Sequence, residues 1–181
     1  MQLTLVTPPP AEKPLTLDEA KAFLGELDDL HNDLIQSMID SAVTHTENIL
    51  NRQLGVATYE GYADHYVTKL PKNPIKSIDK IEIMVDGNYV EVDSSKYYLY
   101  EEYEVGCIEY IDMPTFEYHR KAVKITFTCG YDVTPEPIKT YIKTKISTLF
   151  ENREEYVIGA SISKFDDDLA RNLLVPYRIM P

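Results

Sequence analysis

The sequence predicts an α+β protein that is mainly helical, in which an N-terminal helix pair and a long C-terminal helix flank a small inserted antiparallel β-sheet. Apolar residues recur at helical spacing in two stretches before residue 55 and in one stretch after residue 135. Between these stretches, apolar and polar residues alternate in short runs separated by proline and glycine, which is typical of antiparallel strands. A length of 181 residues suits one domain with an appended arm.

A proline-rich stretch precedes the first predicted helix. Residues 1–14 contain four prolines, which predicts an extended arm. Thr16 and Glu19 then match a capping box, in which each side chain accepts a hydrogen bond from the other residue's backbone. A short helix is therefore expected over about residues 17–27.

Two longer helices are expected on either side of the strands. The first covers about residues 32–54 and ends before Gly55, a residue that commonly terminates helices. The second covers about residues 136–155, because Thr134 can cap it and Pro135 suits a first helical position. The predicted organisation is an arm at residues 1–14, a main domain at residues 15–158 and a C-terminal tail at residues 159–181.

Short strands are expected over about residues 56–130. Asp86 and Gly87 form a favourable hairpin turn between an alternating run and its return. The clearest half-buried strand places one set of side chains inward and another outward. The inward set is Val123, Ile125, Phe127 and Cys129, and the outward set is Lys124, Thr126 and Thr128.

Composition excludes several classes of protein. A net charge of -12 disfavours a protein that wraps nucleic acid through phosphate contacts. Two cysteines, Cys107 and Cys129, do not provide a disulfide framework or a zinc site. The N-terminus lacks the pattern of a signal peptide, and no run approaches the roughly 18 apolar residues of a membrane span. We therefore expect a soluble protein made in a cytoplasm, without membrane partners.

The sequence contains no recognisable catalytic motif. The four histidines, which are His31, His45, His65 and His119, lack the spacing of metal ligands. The glycines do not form a dinucleotide-binding or phosphate-binding loop. The acidic run at residues 166–168 lacks the spaced ligands of a calcium loop, so a solvated charge cluster explains it better. We expect no catalytic residue, no metal and no cofactor.

The last predicted helix carries lysines beside its apolar face. Lys139 and Lys143 lie one turn apart, and Lys145 is displaced around the helix. These lysines either keep a solvent-facing surface soluble or contact an acidic surface on a neighbouring subunit, which would provide orientation more than affinity. The excess of acidic residues elsewhere makes such a match available between identical subunits.

The order of short motifs along the chain resembles a known family. The stretches LTLDEAKAFL, LNRQLG, LPKNPIKSIDKIEI and VKITFTCGYD are followed by TPEPIKTYIKTKISTLFENRE and LLVPYR. Over about residues 15–178, this order is similar to that of the head–tail connector (adaptor) proteins of tailed bacteriophages, also known as head-completion or DNA-packaging proteins. Each motif is short, and their common order and spacing carry the resemblance. The tyrosine-rich stretch KYYLYEEYEVGCIEYI departs from the family pattern.

The resemblance implies a structural role without catalysis. Such proteins form a homo-oligomeric ring of about twelve subunits beneath the portal vertex of the virion, and they can be monomers before assembly. The ring extends the channel through which double-stranded DNA passes without sequence-specific binding, and it docks the next neck or tail protein. The implied portal-binding residues are Leu173, Leu174, Val175, Pro176, Tyr177 and Arg178, and the implied subunit-interface residues are Lys139, Lys143 and Lys145.

Three other readings of the sequence stay open. A stopper or tail-completion protein works at the same neck, and it would bind the connector instead of the portal. A cytoplasmic interaction module unrelated to phage would have the same composition without affinity for a portal. An enzyme would require a deep pocket that holds His65 or His119 beside carboxylates with shifted pKa values.

Overall fold

The computed structural model describes residues 1–7, 14–26, 28–151 and 172–179. Among these residues, seven strands form two antiparallel sheets beside three α-helices. The strands are β1 (Gln2–Thr7), β2 (Ala57–Ala63), β3 (Ile75–Val85), β4 (Asn88–Glu91), β5 (Tyr97–Glu102), β6 (Val105–Tyr110) and β7 (Val123–Cys129). The helices are α1 (Leu17–Leu24), α2 (Asn32–Leu50) and α3 (Glu136–Glu151).

The prediction of a mainly helical protein was wrong, because the described part of the chain is mainly β. One strand that the sequence did not predict, β1, lies in the proline-rich arm and pairs with β2 from Gln2 to Thr7. Its sequence offers only Leu3 and Leu5 as alternating apolar residues, which is too short a pattern to predict a strand by itself. The edge of β2 supplies the hydrogen-bonding partners that make it one.

Contacts along the chain define two compact units. The β unit consists of Met1–Ala11 and Gly55–Asp132, and the helical unit consists of Glu12–Leu54 and Val133–Pro181. The larger sheet of the β unit has the strand order β1-β2-β7-β3-β4. Its central strand, β7, alternates as predicted: Val123, Ile125, Phe127 and Cys129 are fully buried.

The second sheet of the β unit is a hairpin of β5 and β6 that is tied to a preceding loop. Thr68 accepts a hydrogen bond from the backbone of Ile108 at 2.9 Å, and Gly106 accepts one from Leu70 at 3.0 Å. A single β-bridge joins Lys69 to Cys107 in the same stretch. The loop thus acts as a second, irregular partner for β6, in addition to β5.

The helices α1 and α2 each end at a residue with left-handed backbone conformation. Thr16 and Glu19 form the predicted capping box at the start of α1, and Gly25 with φ 75° ends this helix before the expected residue 27. Asn51 with φ 54° ends α2 before the expected residue 54. The last four residues of the predicted 136–155 helix lie outside the described residues. The fully buried apolar core includes Leu15, Ile35, Ile39, Leu50, Ile138, Tyr141, Ile142 and Ile146.

Within the described residues, no helix has both the length and the apolar character needed to cross a membrane.

Candidate interaction surfaces

The described part of the C-terminal tail, residues 172–179, is held against the end of α2. Ile179 donates a backbone hydrogen bond to Leu50 at 3.0 Å and accepts one from the Asn51 side chain at 2.9 Å. Arg52, which is buried, donates from Nε to the carbonyl oxygen of Tyr177. Because a charged donor makes a stronger hydrogen bond than a neutral one, Arg52 is the main polar anchor of this segment.

The six residues expected to bind a portal fall into two groups in the C-terminal segment. Leu174 is only 2% exposed and packs inward, whereas Val175 is 66% exposed. Pro176 and Arg178 are also exposed, Leu173 is partly exposed and Tyr177 is half-buried. The segment therefore presents an outer surface and is anchored by an inner one, a division that the sequence pattern did not indicate.

An open cleft of about 460 Å³ lies beside this segment. Both apolar and polar residues line the cleft. They belong to the C-terminal segment and to the end of α2. The lining residues are His45, Asn48, Ile49, Asn51, Leu174, Val175 and Arg178. Such a cleft can accept a side chain from a partner protein.

The three lysines of α3 have different surroundings. Lys139 is 17% exposed and lies 3.3 Å from Glu19 of the same chain and 3.9 Å from Glu136. Lys145 sits over the Tyr141 ring, with its Nζ 5.5 Å from the ring centroid. Lys143 is half-buried, and no ion pair joins it to another described residue. Of the three, Lys143 is therefore the one whose charge is most available to a neighbouring subunit.

The ion pair of Lys139 links α3 to the start of α1. The backbone hydrogen bond from Thr16 is the largest of the effects that hold the pKa of the Glu19 carboxyl below its usual value. The Lys139 ammonium lowers that pKa further, against the opposing effect of partial burial. The lysine thus has a structural partner inside its own subunit, which sequence spacing could not reveal because the two residues are 120 positions apart.

A second charged network covers the polar face of the larger sheet. Lys124 on β7 lies 3.1 Å from Glu60 on β2 and 3.0 Å from Glu82 on β3. Burial works against the charge on Lys124, but the two carboxylates outweigh it and raise its pKa. The cross-strand register produces this cluster, since Tyr62 and Glu82 both face Lys124. It stabilises the pairing of three strands.

The tyrosine hairpin, which consists of β5, β6 and the Tyr103–Glu104 turn, exposes several aromatic rings. Tyr103 is 91% exposed, Tyr98 is 45% exposed and Tyr100 is 40% exposed. By contrast, Tyr110 is mostly buried and donates a hydrogen bond to the carbonyl oxygen of Val67 at 2.6 Å. Its burial raises the pKa of the Tyr110 hydroxyl well above the usual value. The tyrosine-rich stretch therefore contributes one mostly buried ring to the interior of the β unit and several exposed rings to its surface.

Residues with possible metal or redox chemistry have ordinary structural roles. Among the described residues, Glu26, Asp28 and His31 hold potential ligand atoms within 4.8 Å of one another. The Asp28 carboxylate accepts a hydrogen bond from the backbone of Leu30, and Glu26 approaches His31 at 3.5 Å. These contacts account for the cluster without an ion. Cys107 and Cys129 are free and buried, and the acidic run at residues 166–168 lies outside the described residues.

Comparisons with solved structures show where this fold occurs. The neck of an empty gene transfer agent particle, computed with C6 symmetry, contains a chain with a TM-score of 0.79 and 17% identity. The virion of the native particle gives a TM-score of 0.80 with 18% identity, and the native neck computed with C12 symmetry gives 0.74 with 18% identity. Each match covers 100% of this chain and 97% of the other. At these identities the likeness shows a shared fold.

Comparison at the sequence level gives the family. No curated protein matches the chain. Residues 14–100 match the family model of the phage gp6-like head-tail connector proteins, which confirms the resemblance carried by the sequence motifs. This region includes α1, α2 and the strands β2, β3 and β4. By its match at residues 14–100, the chain is similar to the phage gp6-like head-tail connector proteins.

Proposed function

We propose that this protein is a structural head–tail connector, or adaptor, of a phage-like particle. The observation that carries the proposal is the match of residues 14–100 to the connector family, together with a fold shared over the whole chain with a component of solved particle necks. The role belongs to the head–tail junction of the virion and needs no catalysis. It consists of joining the head to the neck and extending the channel for DNA.

The proposed assembly is a closed ring of about twelve identical subunits. Each subunit contacts the next through the same head-to-tail interface, and the last subunit contacts the first. The symmetries used for the related necks, C6 and C12, support a ring of this size. The net charge of -12 suits a channel lining, because DNA phosphates pass a like-charged surface without being retained. A basic lining would hold the DNA through counterion release.

The C-terminal segment is our candidate contact with the portal protein. Val175 and Arg178 offer one apolar and one charged side chain on its exposed side, while Leu174 and Arg52 keep the segment in place. A preformed segment loses less conformational entropy on binding than a disordered one, which favours this role. The portal surface would then bind the exposed side, including the cleft next to it.

The test is the native mass of this protein mixed with the portal protein of the same particle. We expect a discrete complex that exceeds the portal by a whole ring of 20.8 kDa subunits. A free monomer in the absence of the portal would be compatible with this role, because the portal can provide the template. Complete separation of the two proteins at high concentration would contradict it. Binding to a preformed connector ring but not to the portal would indicate a stopper or tail-completion protein instead.

Variants of the C-terminal segment separate portal contact from folding. Val175→Ala combined with Arg178→Ala should weaken portal binding about tenfold or more and leave the melting temperature unchanged, because both side chains are exposed. Leu174→Ala is the matched control, since it should lower the melting temperature by creating a cavity. Unchanged portal affinity in the double variant would exclude these residues from the contact.

A further inference from the structure

The tyrosine hairpin places an exposed aromatic ring at a turn of unfavourable backbone geometry. Tyr103 and Glu104 both have positive φ values, 51° and 62°, and together they connect the paired residues Glu102 and Val105. Two-residue turns of this kind normally carry Asn-Gly or similar pairs, because other residues are strained there. A Tyr-Glu pair costs stability at this site, and the 91% exposed ring of Tyr103 does not offset that cost by packing in the core.

The hairpin is anchored close to its turn, so the exposed tip is presented on a rigid element. Asn73 is buried and accepts a hydrogen bond from the backbone of Gly106 at 2.7 Å. In the same strand, Cys107 and Ile108 are buried in the β unit. Pre-organised elements of this kind lose little entropy when they bind a partner.

The charge of the hairpin has a single sign. No lysine or arginine occurs between Tyr97 and Asp112, whereas four glutamates do. All four glutamates, which are Glu101, Glu102, Glu104 and Glu109, are exposed. This surface repels the phosphates of a nucleic acid. A positively charged protein surface is the complementary partner.

A cleft of about 190 Å³ on the side of the hairpin has room for one long side chain. Pro74, Ile75 and Leu99 supply an apolar floor, and Glu101 and Glu104 supply carboxylates at its walls. Tyr100 adds an aromatic ring. Arginine matches this combination, because its stem packs on apolar surface, its planar head stacks on aromatic rings, and its five N–H groups bind carboxylates.

We propose that the tyrosine hairpin is a docking element for a different protein with a positively charged surface, and that an arginine of that protein occupies the cleft beside Glu101 and Glu104. The inference rests on the proposed function in one respect, which is that the partner belongs to the neck of the same particle. The exposed tyrosines supply apolar contact area, and the glutamates supply steering and specificity.

The experiment measures the affinity of this protein, assembled on its portal, for each of the other purified neck proteins of the particle. Glu101→Arg is compared with Glu91→Arg, which makes the same change at an exposed glutamate on β4. A further variant combines Tyr103→Asn with Glu104→Gly, which installs the favoured turn residues and removes the exposed ring.

We expect one neck protein to bind the wild type and to lose affinity about tenfold for Glu101→Arg and less than about twofold for Glu91→Arg. The Asn-Gly variant should lose affinity to a similar degree while its melting temperature rises. If the turn had only a structural role, the gain in stability would not be accompanied by a loss of affinity.

Three results would overturn the inference: no neck protein binds the wild type, both arginine variants bind alike, or the hairpin variants impair ring assembly while partner binding is unchanged. The last result would make the hairpin a contact between subunits. Failure of the proposed function is recognised separately, because the wild type would then not bind the portal in the first step.

Discussion

Gly130 shows how one residue controls the end of the central strand. Its φ value of 111° lies in a region that only glycine adopts readily, and a Cβ atom there would lie 2.3 Å from the carbonyl oxygen of Gly55. Its backbone N–H also donates to Pro74 at 2.8 Å. The glycine that follows β7 in the sequence therefore permits a close backbone approach at which no other residue fits.

Replacement of this glycine should be far more costly than replacement of a turn glycine. We expect Gly130→Ala to lower the free energy of unfolding by about 3 kcal/mol or more, because backbone strain and a backbone clash add up. Gly87→Ala is the control, since Gly87 has a φ value of 76° and nothing within 4 Å of the added atom, and it should cost about 1 kcal/mol. Urea unfolding of both variants measures the two losses in free energy of unfolding. Equal losses would show that the backbone at Gly55 shifts to make room for the added atom.

Glu19 makes the start of α1 sensitive to pH. The folded protein holds the pKa of this carboxyl below its usual value of 4.5, chiefly through the backbone of Thr16. A lowered pKa means that the ionised carboxylate contributes stability above the unfolded pKa, and that this stability is lost as the pH falls through the folded pKa.

We expect Glu19→Gln to be less stable than the wild type at neutral pH, and we expect the difference to shrink as the pH falls through the lowered pKa of Glu19 and to vanish below it. Glutamine can still serve in a capping box, so the variant isolates the contribution of the charge. Urea titrations at several pH values provide the measurement. Asp18→Asn, which changes a neighbouring carboxylate without a hydrogen bond to another described residue, controls for the general effect of charge on the helix. A difference that stays constant with pH would contradict the assignment.

At the scale of elements, buried polar side chains decide how strands and segments are joined. Asn73 is 2% exposed, and it bridges the loop before β3 to β6 by accepting from Gly106 and donating to Leu70 at 3.2 Å. Arg52 performs the equivalent role for the C-terminal segment. Neither residue stands out in the sequence, because asparagine and arginine are most often exposed.

Asn73→Ala should destabilise the protein by about 2 kcal/mol, since it leaves the N–H of Gly106 and the carbonyl of Leu70 without their partner. The effect should be concentrated in the hairpin, where amide hydrogen exchange at Gly106 should become faster than in the remainder of the β unit. Asn88→Ala, at the exposed first residue of β4, should change stability by less than about 0.5 kcal/mol. Unchanged exchange at Gly106 would exclude Asn73 as the anchor.

At the scale of the whole molecule, two lysines expected at a subunit interface differ in their contacts within the subunit. Lys139 is engaged with Glu19 inside the subunit, whereas Lys143 has no ion pair to a described residue. The expectation that both lysines contact a neighbouring subunit stays a prediction. Substitutions at the two positions are now expected to affect different properties, which are ring formation and thermal stability.

We expect Lys143→Glu to weaken ring formation on the portal severalfold with little change in melting temperature, because reversal of a charge at an interface costs affinity. Lys139→Glu should lower the melting temperature, because it brings a third carboxylate to Glu19 and Glu136. Native mass and thermal unfolding of both variants separate the two effects. Normal ring formation by Lys143→Glu would remove this lysine from the subunit interface.

The sequence by itself determined the elements whose signals are local. The capping box of Thr16, the proline before α3 and the alternation of β7 depend on residues a few positions apart, so their patterns can be recognised without a partner. The order of short motifs also identified the connector family, because it combines several such local signals. The site residues of the C-terminal segment came from this resemblance and not from their chemistry.

Only the tertiary structure decided the features that depend on distant partners. The strand β1 exists because β2 offers an edge, the Lys139–Glu19 pair joins residues 120 positions apart, and Arg52 reaches Tyr177 across 125 positions. The same limit explains why the mainly helical prediction was wrong, since strands take their hydrogen bonds from remote segments while helices take theirs from within. Whether a tyrosine lies in the core or at the surface follows from the same long-range pairing, which gives Tyr110 a buried carbonyl partner and leaves Tyr103 exposed.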